Sequence, residues 1–182
     1  MTNTATGTMM VWIGCLAAYN AGKLHGEWLD ATDGSDELNR QAEGIVATSP
    51  EAPNAEEWAI FDTDWSYSWR PSMYDNLRRV GEMAEALAEH GEPLAVFATD
   101  VYGAGSDVWE IVRAFEDAYR GEHESERDFG WHMAEESAMF EGVSEVLRSY
   151  FDAESYGRDL CMSDFTSVRQ PGGQVYVFSN DW

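Results

Sequence analysis

The chain has 182 residues, with 34 Asp and Glu against 11 Lys and Arg, a formal net charge of −23 at pH 7 and a pI near 4.2. Hydrophobic residues make up 44% and aromatic residues 13%, interleaved with the acids along the whole length, so the composition excludes a disordered acidic tail and predicts a folded, cored protein. No apolar run approaches the roughly 18 residues of a membrane span. Residues 1–8 lack a basic leader pattern and read as a flexible tail. Cys15 and Cys161 have no CxxC partner, which fits two thiols in a reducing cytoplasm better than a disulfide framework.

Met9–Ala18 is a compact apolar run whose Val, Trp and Ile content predicts a buried strand. Tyr19-Asn20-Ala21-Gly22 is a turn, and Leu24–Leu29 follows as a second strand, so the two predict an antiparallel pair. Asp33–Glu43 reads as a short helix capped by Asp33 or Ser35. Pro50 and Pro53 mark a loop, and Glu57–Phe61 a third strand. Ser72 opens a helix with Met73, Leu77, Val80, Ala84 and Leu87 on one face, ended by Gly91 and Pro93. Leu94–Thr99 is an apolar element whose type the pattern leaves open.

Ser106 or Asp107 then caps a helix with Val108, Ile111, Val112, Phe115 and Tyr119 inward, stopped by Gly121. Ser125 caps another, with Phe129, His132, Met133 and Phe140 inward, and Val143, Val146, Leu147, Tyr150 and Phe151 mark a fourth. The glycine turn at 172–173 leads into a strand over Gln174–Ser179. The class expected is α+β: a chain of small domains, with an antiparallel N-terminal sheet (residues 9–70), a helical middle (71–121) and a helix-plus-strand C-terminal domain (122–182).

The motifs of metal, nucleotide and nucleophile chemistry are weak. His132 and Glu136 stand four apart, a spacing able to hold a metal, but no second histidine completes an HExxH-like set. The glycines at 103 and 105 precede a helix without the lysine of a phosphate loop. No metal or cofactor is expected. Asp62 and Asp64 flank the aromatic stretch Trp65–Trp69, which suits a sugar-stacking carboxylate enzyme or, more simply, aromatic packing between domains.

The acids are the stronger signal. Ordinary surfaces mix both signs, whereas here the only lysine is Lys23. On the outward helix faces the expected charge carriers are Glu110, Glu116, Asp117, Glu124, Glu135, Glu136 and Glu145. Such a surface fits a dedicated basic partner, a salt-adapted protein, or a carboxylate enzyme such as a glycoside hydrolase.

Three stretches in order resemble the ArdA family of antirestriction proteins. They are Val11-Trp12-Ile13-Gly14 through the Tyr19-Asn20-Ala21-Gly22 turn to Gly26-Glu27-Trp28-Leu29-Asp30, then Ala55–Asp62, then Tyr150–Leu160, which is similar to the family's antirestriction motif. The resemblance implies a dimer that mimics bent B-form DNA and occupies the DNA-binding groove of type I restriction–modification enzymes, at their methyltransferase core, protecting incoming mobile DNA. It implies an elongated row of three small domains with the dimer contact in the last, no enzymatic activity, no direct nucleic-acid binding and no membrane association. Carried over, Tyr150, Phe151, Tyr156 and Leu160 serve packing or the dimer contact, Asp152, Glu154 and Asp159 bear charge, and Arg158 pairs with one of these acids. Residues 31–54 and 163–182 fit the family pattern less well.

Overall fold

Strand β1 (Met10–Cys15) is the centre of an antiparallel sheet, with β2 (Gly26–Asp30) on one side and β3 (Trp58–Asp64) on the other. The apolar run expected as one strand to Ala18 is divided: Leu16–Asn20 turns as a short helix, α1. The sheet partners run out there, where the Leu16 amide donates to the Glu57 carbonyl, and the Ala21 amide closes onto Ala17. Val11, Ile13 and Leu29 are buried on one face of the sheet. Helix α2 (Ser35–Ala47) covers that face with Leu38, Ala42, Ile45 and Val46.

Helix α2 runs beyond the predicted Glu43, and neither Asp33 nor Ser35 caps it; the cap position is Gly34, without a side-chain bond. Asp33 instead closes a 3₁₀ turn that Asp30 caps by accepting from the Thr32 amide. Helix α3 (Leu77–His90) begins five residues after Ser72, with Asn76 as its cap, accepting from the Arg78 amide at 2.8 Å. Met73 is therefore not on the helix face. Its carbonyl accepts from the Ile60 amide at 2.9 Å, which ties residues 72–75 to β3. Leu77, Val80, Ala84 and Leu87 are buried as the spacing requires. Gly91, at φ +71°, ends the helix with its amide on the Leu87 carbonyl. The segment of open type is helical: α4 (Glu92–Val96) continues into a π-helical stretch, Phe97–Tyr102. Pro93 stands in the first turn of α4, where its missing amide does no harm.

Helix α5 (Val108–Ala118) buries Val108, Ile111 and Phe115. Tyr119 belongs not to this helix but to β4 (Tyr119–His123), and Gly121 (φ +108°) sits at a register irregularity inside that strand rather than at a helix stop. Ser125 caps α6 (Glu126–Glu136), its hydroxyl accepting from the Asp128 amide at 3.2 Å. Phe129 is buried, but His132 faces solvent and Phe140 lies past the helix end. The fourth predicted helix is one turn, α7 (Glu145–Arg148), and Val146, Leu147 and Tyr150 are exposed instead of inward.

Besides β4, the elements α8 (Ala153–Ser163) and β5 (Phe165–Arg169) escape the sequence pattern. With β6 (Val175–Ser179) at the centre, β4, β6 and β5 form a second antiparallel sheet. Strand β6 is buried on both faces. Val175 and Val177 pack on Phe129, while Phe178 meets Phe115 and Tyr119.

The structure, a computed structural model, describes residues 8–103 and 107–182; Ser106, one of the two predicted caps of α5, lies outside them. Residues 8–99 with 107–109 form one compact unit, and residues 100–103 with 110–182 a second. The architecture is α+β, with a three-stranded antiparallel sheet at the N-terminal end, helices in the middle, and a helix with strands at the C-terminal end.

Candidate acidic interface and the Tyr150–Leu160 segment

The predicted charge carriers all belong to the second unit. Glu110 and Asp117 are seven residues apart on α5 and so share a face, with Glu116 beside them. Glu116 and Asp117 are exposed and Glu110 is half-buried. Glu135, Glu136 and Glu145 are exposed on α6 and α7, and Glu124 is exposed between β4 and α6 rather than on the expected helix face. Glu135 accepts from the Arg148 guanidinium at 2.9 Å, and Glu136 lies 3.8 Å from His132. Arg148 also stands over the Phe140 ring at 4.7 Å, so one cation pins the chain after α6 to α7. His132 and Glu136 are a surface pair. Among the described residues no three His, Cys, Asp or Glu side chains converge as a metal site.

The Tyr150–Leu160 segment divides its side chains between inside and outside. Phe151 sits in an aromatic cluster, its ring 5.2 Å from Trp131, 5.1 Å from Phe140 and 5.5 Å from Tyr156. Leu160 packs with Met133, Cys161 and Phe165 on the Phe129–Val175–Val177 core. Asp152 caps α8, one carboxylate oxygen accepting from the Ser155 amide at 3.0 Å and the other from its hydroxyl at 2.7 Å. These bonds, with the nearby Glu154 amide and Arg158, hold its carboxyl below the ordinary value. Tyr150, Glu154, Arg158 and Asp159 face solvent, and Arg158 pairs with its neighbour Asp159 at 3.3 Å. The residues that fix α8 in place include two that carry no chemical signal, Gly130 and Gly157, where α6 and α8 touch backbone to backbone. Their only trace in the sequence is a glycine inside each helical stretch.

The aromatic stretch beside Asp62 and Asp64 is part of the first unit. Trp69 is buried, Trp65 stacks on it at 6.0 Å, and Arg70 lies 5.6 Å from the Trp65 ring. Two hollows that border this stretch carry one carboxylate each, Asp62 and Asp75. Asp75 is already engaged by Arg79 and the Ser72 amide. In the second unit, burial pushes the Tyr119 phenol up to about 12, helped by Tyr176 and Glu122.

Acid is spread evenly. Each unit holds 17 Asp and Glu, against five basic residues in the first and six in the second, so their formal charges are −12 and −11. Much of the positive charge is internally engaged: Lys23 with Glu51, Arg40 with Glu37, Arg78 with Glu82 and Arg79 with Asp75, besides Arg148 and Arg158. Such exposed pairs add little stability, but they leave the outward potential to the remaining carboxylates. Among the described residues no helix is long and apolar enough to cross a membrane.

Two acidic units, each built on a three-stranded antiparallel sheet with helices, define an α+β protein whose surface is dominated by carboxylates. The chain matches the family model for antirestriction protein (ArdA) over residues 11–173, and it belongs to that family. No curated protein matches it significantly. Membership implies antirestriction as the function.

Proposed function

We propose that the protein inhibits type I restriction–modification enzymes by mimicking bent B-form DNA, occupying the DNA-binding groove of the methyltransferase core as a cytoplasmic homodimer. The observation that carries this reading is the charge: −12 and −11 on two folded units, with the basic side chains largely engaged by carboxylates and backbone carbonyls of the same chain. Duplex DNA presents about one negative charge per 1.7 Å of axis, and a groove built for it gains affinity from Lys and Arg on phosphate. Carboxylates fixed on helices meet the same groove without base edges, so inhibition is independent of recognition sequence. The same charge repels nucleic acid, so the protein does not bind DNA itself.

Within this reading Glu110, Glu116, Asp117, Glu124, Glu135, Glu136 and Glu145 stand for phosphates, with Asp152, Glu154 and Asp159 extending the acidic surface. The dimer contact falls in the C-terminal segment 122–182, where Val146, Leu147 and Tyr150 put apolar area in water at 70%, 64% and 81% exposure. The division into segments 9–70, 71–121 and 122–182 belongs to the same proposal.

The test is displacement. The purified protein is titrated into a type I methyltransferase bound to labelled DNA at low and moderate salt. Release of DNA near stoichiometric protein, weakened as salt screens the carboxylates, is the expected result. Retention of DNA at large excess of folded protein sinks the reading.

A further inference from the structure

The first unit carries a second sheet face, opposite the one that α2 covers. Residues directly opposite in antiparallel strands share a face. In the central strand, Trp12 stands opposite Trp28 on β2 and Asp62 on β3, and Met10 stands opposite Asp30 and Asp64. The alternate residues Val11 and Leu29 point the other way into the core under α2. The outer face therefore carries two tryptophans, Trp28 exposed and Trp12 half-buried, bordered by three aspartates. The two rings meet edge to face at 5.8 Å, and Trp28 is 42% exposed. Next along β1 is Gly14, over which Phe61 leans, with Tyr19 against Phe61 at 4.5 Å.

Asp62 and Asp64 are exposed. Among the described residues, no basic side chain pairs with Asp30, Asp62 or Asp64. Lys23, Arg40, Arg78 and Arg79 pair elsewhere, and Arg70 donates to the Tyr67 and Trp69 carbonyls.

We infer that this Trp12–Trp28 face is a docking surface for arginine side chains of a basic protein partner. Indole faces attract a guanidinium within about 6 Å of the ring centre, and carboxylates at the ring edge bind its planar N–H fork. Lysine stacks less well and offers no fork. A unit of charge −12 draws such a partner in before contact. The surface adds arginine anchors to an interface otherwise made of dispersed charge, and it rests on the reading of the chain as an inhibitor seated on a basic enzyme groove.

The experiment uses the full chain, a hexa-arginine peptide, a hexalysine peptide and cellohexaose. Indole N–H signals are followed by heteronuclear NMR. Hexa-arginine is expected to shift the Trp12 and Trp28 signals and to bind more tightly than hexalysine. Trp28→Thr, which keeps a strand former at an exposed site, and the pair Asp62→Asn with Asp64→Asn are each expected to weaken it about two- to fivefold. Backbone spectra verify that the variants are folded. Unmoved indoles at saturation, unchanged affinity in both folded variants, or a response to the sugar alone would overturn the inference.

The displacement assay separates this from the mimicry reading. If wild type releases DNA and Trp28→Thr releases it equally well, the docking surface is wrong and mimicry stands. If wild type releases none, mimicry fails, and the peptide titration alone decides the docking surface.

Discussion

Gly130 on α6 and Gly157 on α8 lie backbone to backbone. A methyl group at Gly130 would stand 2.6 Å from the Ala153 carbonyl oxygen and 2.8 Å from the Gly157 amide nitrogen, and one at Gly157 would run into the Glu126 carbonyl. This contact seats α8 so that Leu160 reaches the Phe129 core while Glu154 and Asp159 stay outside. Helix propensity favours Ala over Gly by about 1 kcal/mol, but overpacking of a filled contact costs about 1–3 kcal/mol, and here the obstacle is rigid backbone. Gly157→Ala is therefore expected to destabilise the second unit in urea unfolding. Gly44→Ala on α2, where nothing lies within 4 Å, is expected to stabilise by about 0.5–1 kcal/mol. A neutral or stabilising Gly157→Ala would show the crossing to be loose.

Asp152 links the same helix to pH. Its carboxyl is depressed when folded, so the stability it adds is present above the unfolded value of about 3.9 and is lost as pH falls through the lower folded value. Asp152→Ala is expected to melt at a lower temperature at pH 7, with the gap to wild type closing in acid. Asp152→Asn keeps the cap, since Asn serves as well as Asp, and is expected to melt close to wild type at pH 7. Melting curves from pH 7 downward check both, and a deficit that persists undiminished in acid would rule out the carboxylate as its source.

A charge-based interface distributes its energy. Neutralising any one of Glu110, Glu116, Asp117, Glu124, Glu136 or Glu145 to the amide is expected to change the inhibition constant by less than about fivefold, the range of an exposed ion pair. Neutralising all of them is expected to abolish displacement of DNA and flatten its salt dependence. Glu135 is the exception to include separately, because Arg148 binds it and its loss loosens the contact between α6 and α7. If one neutralisation removed activity from a folded chain, a discrete site would replace the distributed one.

The apolar side chains around α7 give the dimer proposal a direct check. Leu147 and Tyr150 are exposed, so their replacement leaves the core of the unit intact. Wild type is expected to sediment as a dimer, and Leu147→Glu with Tyr150→Ala as a folded monomer. A dimer unmoved by both changes would place the contact elsewhere.

The sequence by itself determined the class of protein: apolar runs rich in β-branched and aromatic residues, set off by turn residues, located β1, β2, β3 and β6, and the period-3.6 pattern located the interiors of α3, α5 and α6. It also determined the acidity and the order of the family motifs. Starts and ends of elements were decided by partners distant in sequence. Met73 left its predicted helix because its carbonyl serves the β3 edge, and Tyr119 left α5 because β6 pairs with it. Helix α8 was hidden because its closest approach to α6 runs through two glycines, and a glycine pair acquires meaning only when the backbones meet. Val146, Leu147 and Tyr150 show the converse: their spacing is that of a core, and only the tertiary structure leaves them in water, because α7 is a single turn rather than a helix long enough to lay that face on the unit.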